Sequence, residues 1–189
     1  MLEMKTITFV TANQEKISDI KSKLGKKFNL KFKSDIELLE IQTLSVEEVV
    51  TFKVKQAFEI IKEPVVVTDS GLEIVALKNF PGALVKFANE YLGQEGIVKL
   101  LEGKENRKAF FITAMAYCDN PDNVQLFIAR DEGTIAIEPR GEGWHFDRIF
   151  VPIGESKTWA ELGRSRKNET WAFGRVLDQL SNYLEKNKS

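Results

Sequence analysis

Several short runs in this chain carry side chains that could act on a charged ligand. Asp69-Ser-Gly71 follows a charge-free β-branched run, Val65–Val67. Valine suits a pleated, buried environment, so the run reads as a core strand. A carboxylate and a hydroxyl delivered from the end of such a strand stand where α/β proteins commonly bind ligands. Gly71 permits a sharp backbone turn, so the strand is expected to end at Thr68-Asp69. Asp-Ser-Gly is also ordinary turn chemistry, and alone it says no more.

A second run is Thr11-Ala-Asn-Gln-Glu-Lys16. It joins a strand, Thr6–Val10, to a helix in which Ile17, Ile20 and Leu24 recur. A strand feeding straight into a helix leaves backbone N–H groups at the junction, which is a place for an anion. Thr11 and Asn13 can add hydrogen bonds there and Lys16 a charge. The glycines of a Walker loop are absent. Glu40-Ile-Gln42 adds a carboxylate in a connection, and Lys53 and Lys55 lie in the helix that follows.

The elements that must position these groups follow from periodicity and breakers. Phe28, Leu30 and Phe32 alternate as a second strand. Ser45-Val-Glu-Glu48 is a capping box opening a long helix with Val46, Val49, Val50, Ala57, Phe58 and Ile61 on its apolar side. Leu72–Leu77 continues as extended chain, and Phe80-Pro-Gly82 marks a turn. Two helical pieces are expected between Leu84 and Glu102, broken at Gly93 and stopped by Gly103. Ala109–Cys118, Val124–Arg130 and Gly133–Glu138 read as strands, the first two joined by a loop over Asp119–Asn123. A short strand, Ile149–Pro152, and a short helix from Thr158 to Leu162 precede a last amphipathic helix carrying Val176, Leu177, Leu180 and Leu184.

Composition bounds the function. The chain has 189 residues, 43% of them hydrophobic, and a net charge of −1. That balance argues against binding nucleic acid or a membrane surface by overall charge, so any basic site is local. Arg164-Ser-Arg-Lys167 near Trp144 and Trp171 could suit a single-stranded nucleic acid, but the charge balance and the carboxylates speak against it. One cysteine, Cys118, excludes an internal disulfide and reads as a small core thiol in a reducing compartment. No run reaches membrane-spanning length and no leader pattern opens the chain, so a cytoplasmic protein is expected.

The order of these motifs, with Trp144-His-Phe-Asp147, Ile149-Phe150, Thr158-Trp-Ala-Glu161 and Lys167-Asn168 after them, resembles the inosine triphosphate pyrophosphatase family. The resemblance spans nearly the whole chain. It implies an α/β fold: an elongated mixed sheet flanked by helices, with residues 1–189 forming one domain of two lobes around a central cleft. It implies hydrolysis of nucleoside triphosphates to monophosphate and pyrophosphate, acting on non-standard or modified nucleotides, with Mg²⁺ as cofactor, in a homodimer. A nucleotide-binding protein with little turnover is the alternative.

The same resemblance implies roles. Thr11, Asn13 and Lys16 match the triphosphate loop, and Lys55 a helix lysine facing the phosphates. Glu40 matches a metal-binding glutamate. Asp69 matches the catalytic, metal-binding aspartate, and Ser70 its substrate-contacting neighbour. Trp144, His145, Asp147 and Lys167 fall in the base-binding half. Here the chain departs from the pattern. Thr68 stands where many members have an acidic residue, His145 where a glycine is usual, and Arg148 where a proline is usual. Trp171-Ala172-Phe173 stands in place of Ser-His-Arg, and Leu84-Val-Lys86 in place of a hydroxyl-rich segment. His145 reads equally as a structural loop residue or a donor to the base. Of Trp171 and Phe173, one is expected to pack and the other to line a pocket. With the histidine and arginine donors gone, ITP and XTP are not expected to be strongly preferred.

Overall fold

A computed structural model describes residues 4–163 and 171–187. Its centre is a mixed seven-stranded sheet in the order β2-β1-β3-β5-β6-β7, with β4 also paired to β3. β1 is Thr6–Val10, β2 Asn29–Lys33, β3 Val65–Ile74, β4 Pro81–Gly82, β5 Lys108–Asn120, β6 Asn123–Ile135 and β7 Phe150–Pro152. β2, β1 and β3 run parallel, while β3, β5, β6 and β7 pair antiparallel. The expected mixed sheet flanked by helices is the architecture observed.

Helices cover both faces. α1 (Gln14–Leu24) and α6 (Ala172–Lys186) lie on one face, where Ile20, Leu24, Phe173, Val176 and Leu180 pack on Phe9, Val66 and Met115. α2 (Val46–Ile61) lies on the other, where Val46, Val50, Val54 and Ala57 meet Val65, Val67, Ile112 and Ala114. β3 alternates between them, as a strand buried on two sides must. Farther along β3 a further apolar cluster joins Leu72 and Ile74 to Ile97, Phe111, Phe146, Phe150 and Trp159. Around it sit α3 (Val85–Tyr91), α4 (Gly93–Leu100) and the helical residues 159–163, α5.

The strand through Asp69-Ser-Gly71 differs from expectation. β3 does not turn there; it continues to Ile74, registered residue by residue on β5, with Asp69 opposite Ala114 and Ser70 opposite Thr113. Gly71 serves close approach instead. A Cβ on it would lie 2.6 Å from the Gly82 carbonyl oxygen and 2.6 Å from Val46 Cγ2. Pairing with β5 overrides local turn preference, as tertiary context commonly does in sheets.

Val124–Arg130 and Gly133–Glu138 likewise merge into one strand, β6, ending at Ile135. Only Pro121-Asp122 separates β5 from β6. The helix break at Gly93 and the stop at Gly103, whose φ is +70°, match the reading. Among the described residues no helix is long and apolar enough to cross a membrane.

Candidate active site

β1 and β3 stay paired only as far as Phe9 opposite Val66. β4 joins the same side of β3 from Leu72 onward. Between those points β3 faces a gap at the carboxyl end of β1, where the chain leaves for α1. This is a switch point of the kind where open α/β sheets gather ligand groups. Because successive strand residues face opposite sides, Asp69 points toward the α2 face and Thr68 toward the α1 and α6 face.

On the α2 face, Lys53 Nζ donates to Glu40 Oε1 at 2.6 Å and to Asp69 Oδ2 at 3.4 Å. Lys53 is only 14% exposed, whereas Glu40 is 56% exposed at the rim. Burial alone would lower the Lys53 ammonium, but Asp69 and Glu40 together outweigh it and raise it above the ordinary lysine value. Asp69 Oδ1 accepts the Ser70 backbone N–H at 2.8 Å, so both carboxylate oxygens are engaged.

On the opposite face, Lys16 Nζ reaches from α1 to donate to Thr68 Oγ1 at 3.0 Å. The same ammonium lies 5.8 Å from the centre of the Phe173 ring. Burial lowers the Lys16 ammonium below the ordinary value, with Asp69 opposing that shift and Lys53 adding to it. Asn13 caps α1, its side-chain oxygen accepting from Glu15 N and Lys16 N at 2.9 and 3.1 Å. Thr11 Oγ1 accepts the Asn13 N–H at 3.2 Å. The loop is thus ordered by its own side chains. A cavity of about 240 Å³ opens here, lined among others by Thr11, Lys33, Glu40, Lys53, Val67 and Thr68.

The structure therefore gathers Thr11, Asn13, Lys16, Glu40, Asp69 and Ser70 at one end of β1. It does not bring Lys55 there. Lys55 is exposed, two residues and about 200° around α2 from Lys53. Lys53 is the helix lysine that reaches the carboxylates, a correction to the sequence reading. The periodicity carried the signal: Lys53 is four residues from both Val49 and Ala57, on the buried stripe of α2.

The base-side candidates stand elsewhere. Trp144 is 59% exposed and meets the His145 ring edge-on at 4.5 Å. His145 begins a 3-10 turn, His145–Arg148, with φ +34°. That left-handed conformation suits glycine and strains most other residues, so a glycine at this position has a backbone reason. Arg148 ties the turn down, donating to the Gly141 carbonyl at 3.0 Å and to Gln94 Oε1 at 3.4 Å. Asp147 follows on the same turn, its N–H bonded to the Trp144 carbonyl at 2.9 Å. None of Trp144, His145 and Asp147 lines the Glu40–Lys53 cavity. Lys167 and Asn168 lie outside the described residues, as does Arg164-Ser-Arg166.

At the start of α6, Ala172 and Phe173 are buried in the core and Trp171 is partly buried against it. Phe173 packs in the core, and it and Trp171 both line a pocket with Asp19, Lys23 and Leu177, so the expected division of roles between the two is not seen. Arg175 turns from that end to pair with Asp131 at 2.8 Å. Near Trp159, Thr158 and Glu161 form a reciprocal capping box that the sequence reading missed.

Glu40 and Asp69 supply hard carboxylate oxygens on either side of one ammonium. That donor set fits Mg²⁺, which keeps several waters and completes its shell with substrate phosphates. No group of three or more acidic, histidine or cysteine ligands occurs among the described residues, so the chain alone provides no closed cage.

A profile of the Ham1 family matches residues 7–183. The chain is 37% identical over 182 residues to the dITP/XTP pyrophosphatase of Methanopyrus kandleri, covering 96% of this chain and 97% of that protein. It is 39% identical over 187 residues to the dITP/XTP pyrophosphatase of Ignicoccus hospitalis, covering 95% and 97%. Among solved structures, the Ham1 protein of Staphylococcus aureus matches with a TM-score of 0.86 at 26% identity, over 97% of this chain and 100% of that one.

Proposed function

The chain belongs to the Ham1 family, and on that premise we propose that it is a nucleoside triphosphate pyrophosphohydrolase, converting (d)NTP to (d)NMP and pyrophosphate. The observation that carries the reading is the pair of lysines, Lys16 and Lys53, converging from opposite faces of the sheet beside Asp69. Two ammonium groups and a capped helix start suit a polyanion, and the carboxylate between them suits an attacking water.

In the proposed reaction the triphosphate lies along Thr11–Lys16 with its α-phosphorus beside Asp69. Asp69, oriented by Lys53 and the Ser70 N–H, accepts a proton from a water that attacks the α-phosphorus. The bond from that phosphorus to the bridging oxygen breaks, and pyrophosphate leaves. Lys16 and Lys53 hold its charge as it departs. Glu40 and Asp69 would hold Mg²⁺, which when bound neutralises phosphate oxygens. No covalent intermediate is required.

The base is the open half. The Methanopyrus kandleri and Ignicoccus hospitalis relatives are named for dITP and XTP. In this chain Ala172 and Phe173 are buried and have no side-chain donor for a 6-oxo purine edge, which supports broad or altered base use. The same loss favours a second reading, a nucleotide-binding protein with little turnover. The family likeness also supports a single two-lobed domain working as a cytoplasmic homodimer. Purified protein with Mg²⁺ and a panel of standard and modified NTPs and dNTPs, assayed for pyrophosphate, tests the proposal. Stoichiometric pyrophosphate is expected; nucleotide binding without pyrophosphate release would favour the binder.

A further inference from the structure

We propose that Thr68 is a positioning residue that holds the Lys16 ammonium at the phosphate site through a neutral contact; the proposal rests on the reading of that site given above. Lys53 and Lys16 are held in different ways. Lys53 is ion-paired to Glu40 and Asp69, so much of its charge is already answered within the chain. Lys16 is held in contact by the Thr68 hydroxyl and the face of the Phe173 ring, both neutral, and feels the Asp69 charge only through space. A hydroxyl contact together with a ring contact near 6 Å orients an ammonium without neutralising it.

The backbone explains why Thr68 can do this. It stands on β3 two residues past Val66, the last residue registered with β1, and its half-buried side chain faces α1, where Lys16 meets it. It lines the cavity together with Thr11, Glu40 and Lys53. Its neighbour on the same face, Val66, lies in the apolar cluster that also contains Phe173 and fixes the other side of Lys16. An acidic residue at 68 would instead pair with Lys16 and answer its charge. Thr68 thus leaves that charge available for direct recognition of phosphate.

The test is binding of inorganic pyrophosphate by calorimetry, in EDTA so that no metal contributes, to the wild-type chain and to Thr68→Val, Thr68→Ala, Thr68→Ser and Lys16→Ala. Losing one hydrogen bond to a charged group should weaken binding about tenfold in Thr68→Val and Thr68→Ala. Thr68→Ser, which keeps the hydroxyl, should bind like wild type. In the Lys16→Ala background, Thr68→Val should change nothing further, since its effect passes through Lys16. Thr68→Glu should weaken metal-free binding more than Thr68→Val does. Unchanged affinity in both Thr68→Val and Thr68→Ala, the same loss in the Lys16→Ala background, or failure of serine to rescue would each overturn the proposal. Wild-type protein that does not bind pyrophosphate would overturn the phosphate-site reading itself, and this proposal with it.

Discussion

In the proposed reaction, Asp69 and Lys53 are the residues on which the chemistry turns. Asp69→Asn is nearly isosteric but supplies neither a base nor a good Mg²⁺ ligand. The variant should fold normally and lose more than about a hundredfold in kcat, the scale of a general base. Steady-state pyrophosphate release with a circular dichroism check measures this; near-normal kcat in folded protein would remove Asp69 from the mechanism. The two helix lysines give a sharper contrast. Lys53→Ala should raise KM for a triphosphate about ten- to hundredfold, the range for a charged contact. Lys55→Ala, on the exposed side of α2, should leave KM within about twofold, as surface substitutions generally do. The reverse ranking would return the role to Lys55. The sequence held enough to choose between them, because Lys53 follows the spacing of Val46, Val49, Val50 and Ala57. The opposing fact, that a lysine seldom sits on an apolar stripe, makes such a position informative.

At the level of elements, the helices were legible and the long strands only in part. Asn13 caps α1 as its type suggested. Ser45 caps α2 through the Glu48 N–H at 3.2 Å, while the Glu48 carboxylate bonds Thr43 Oγ1 at 2.8 Å instead of closing the box. Asp69-Ser-Gly71 and Asp131-Glu132-Gly133 favour turns locally. Their partners on β5, fixed only in three dimensions, hold them extended. Continuity of β3 matters to function, since one strand carries Thr68 and Asp69 at the gap and Leu72 and Ile74 in the far cluster. At Gly71 that strand closely approaches Gly82 and Val46. Gly71→Ala should cost about 1–3 kcal/mol through overpacking against Gly82 and Val46 and lower Tm by several degrees. Thermal unfolding measures it; an unchanged Tm would mean the strand can shift at no cost.

Across the whole molecule, the residues proposed to face the phosphates converge, while Trp144, His145 and Asp147, proposed to face the base, sit on a separate turn. Legibility differs between them. The motif along Thr11–Lys16 sits where the sequence marks the end of β1 and the Asn13 cap of α1, whereas Asp69 lies inside a strand that runs on past the turn residues to Ile74. Trp144, His145 and Asp147 depend on a 3-10 turn packed against α4, which no local pattern specified. From the buried Ala172 and Phe173, kcat/KM for ITP or XTP should not exceed every standard nucleotide by more than about a hundredfold, the scale of a retained hydrogen-bonding site. A panel of ITP, XTP, GTP, ATP, UTP and CTP decides this, and a larger preference would mean that another donor reads the purine edge.

The central claim is that water attacks the α-phosphorus beside Asp69. Turnover in ¹⁸O-labelled water with Mg²⁺, followed by mass spectrometry of both products, tests it most directly. The label should appear in the nucleoside monophosphate, with unlabelled pyrophosphate released in equal amount and no orthophosphate. Label in the pyrophosphate, or nucleoside diphosphate with labelled orthophosphate, would contradict it.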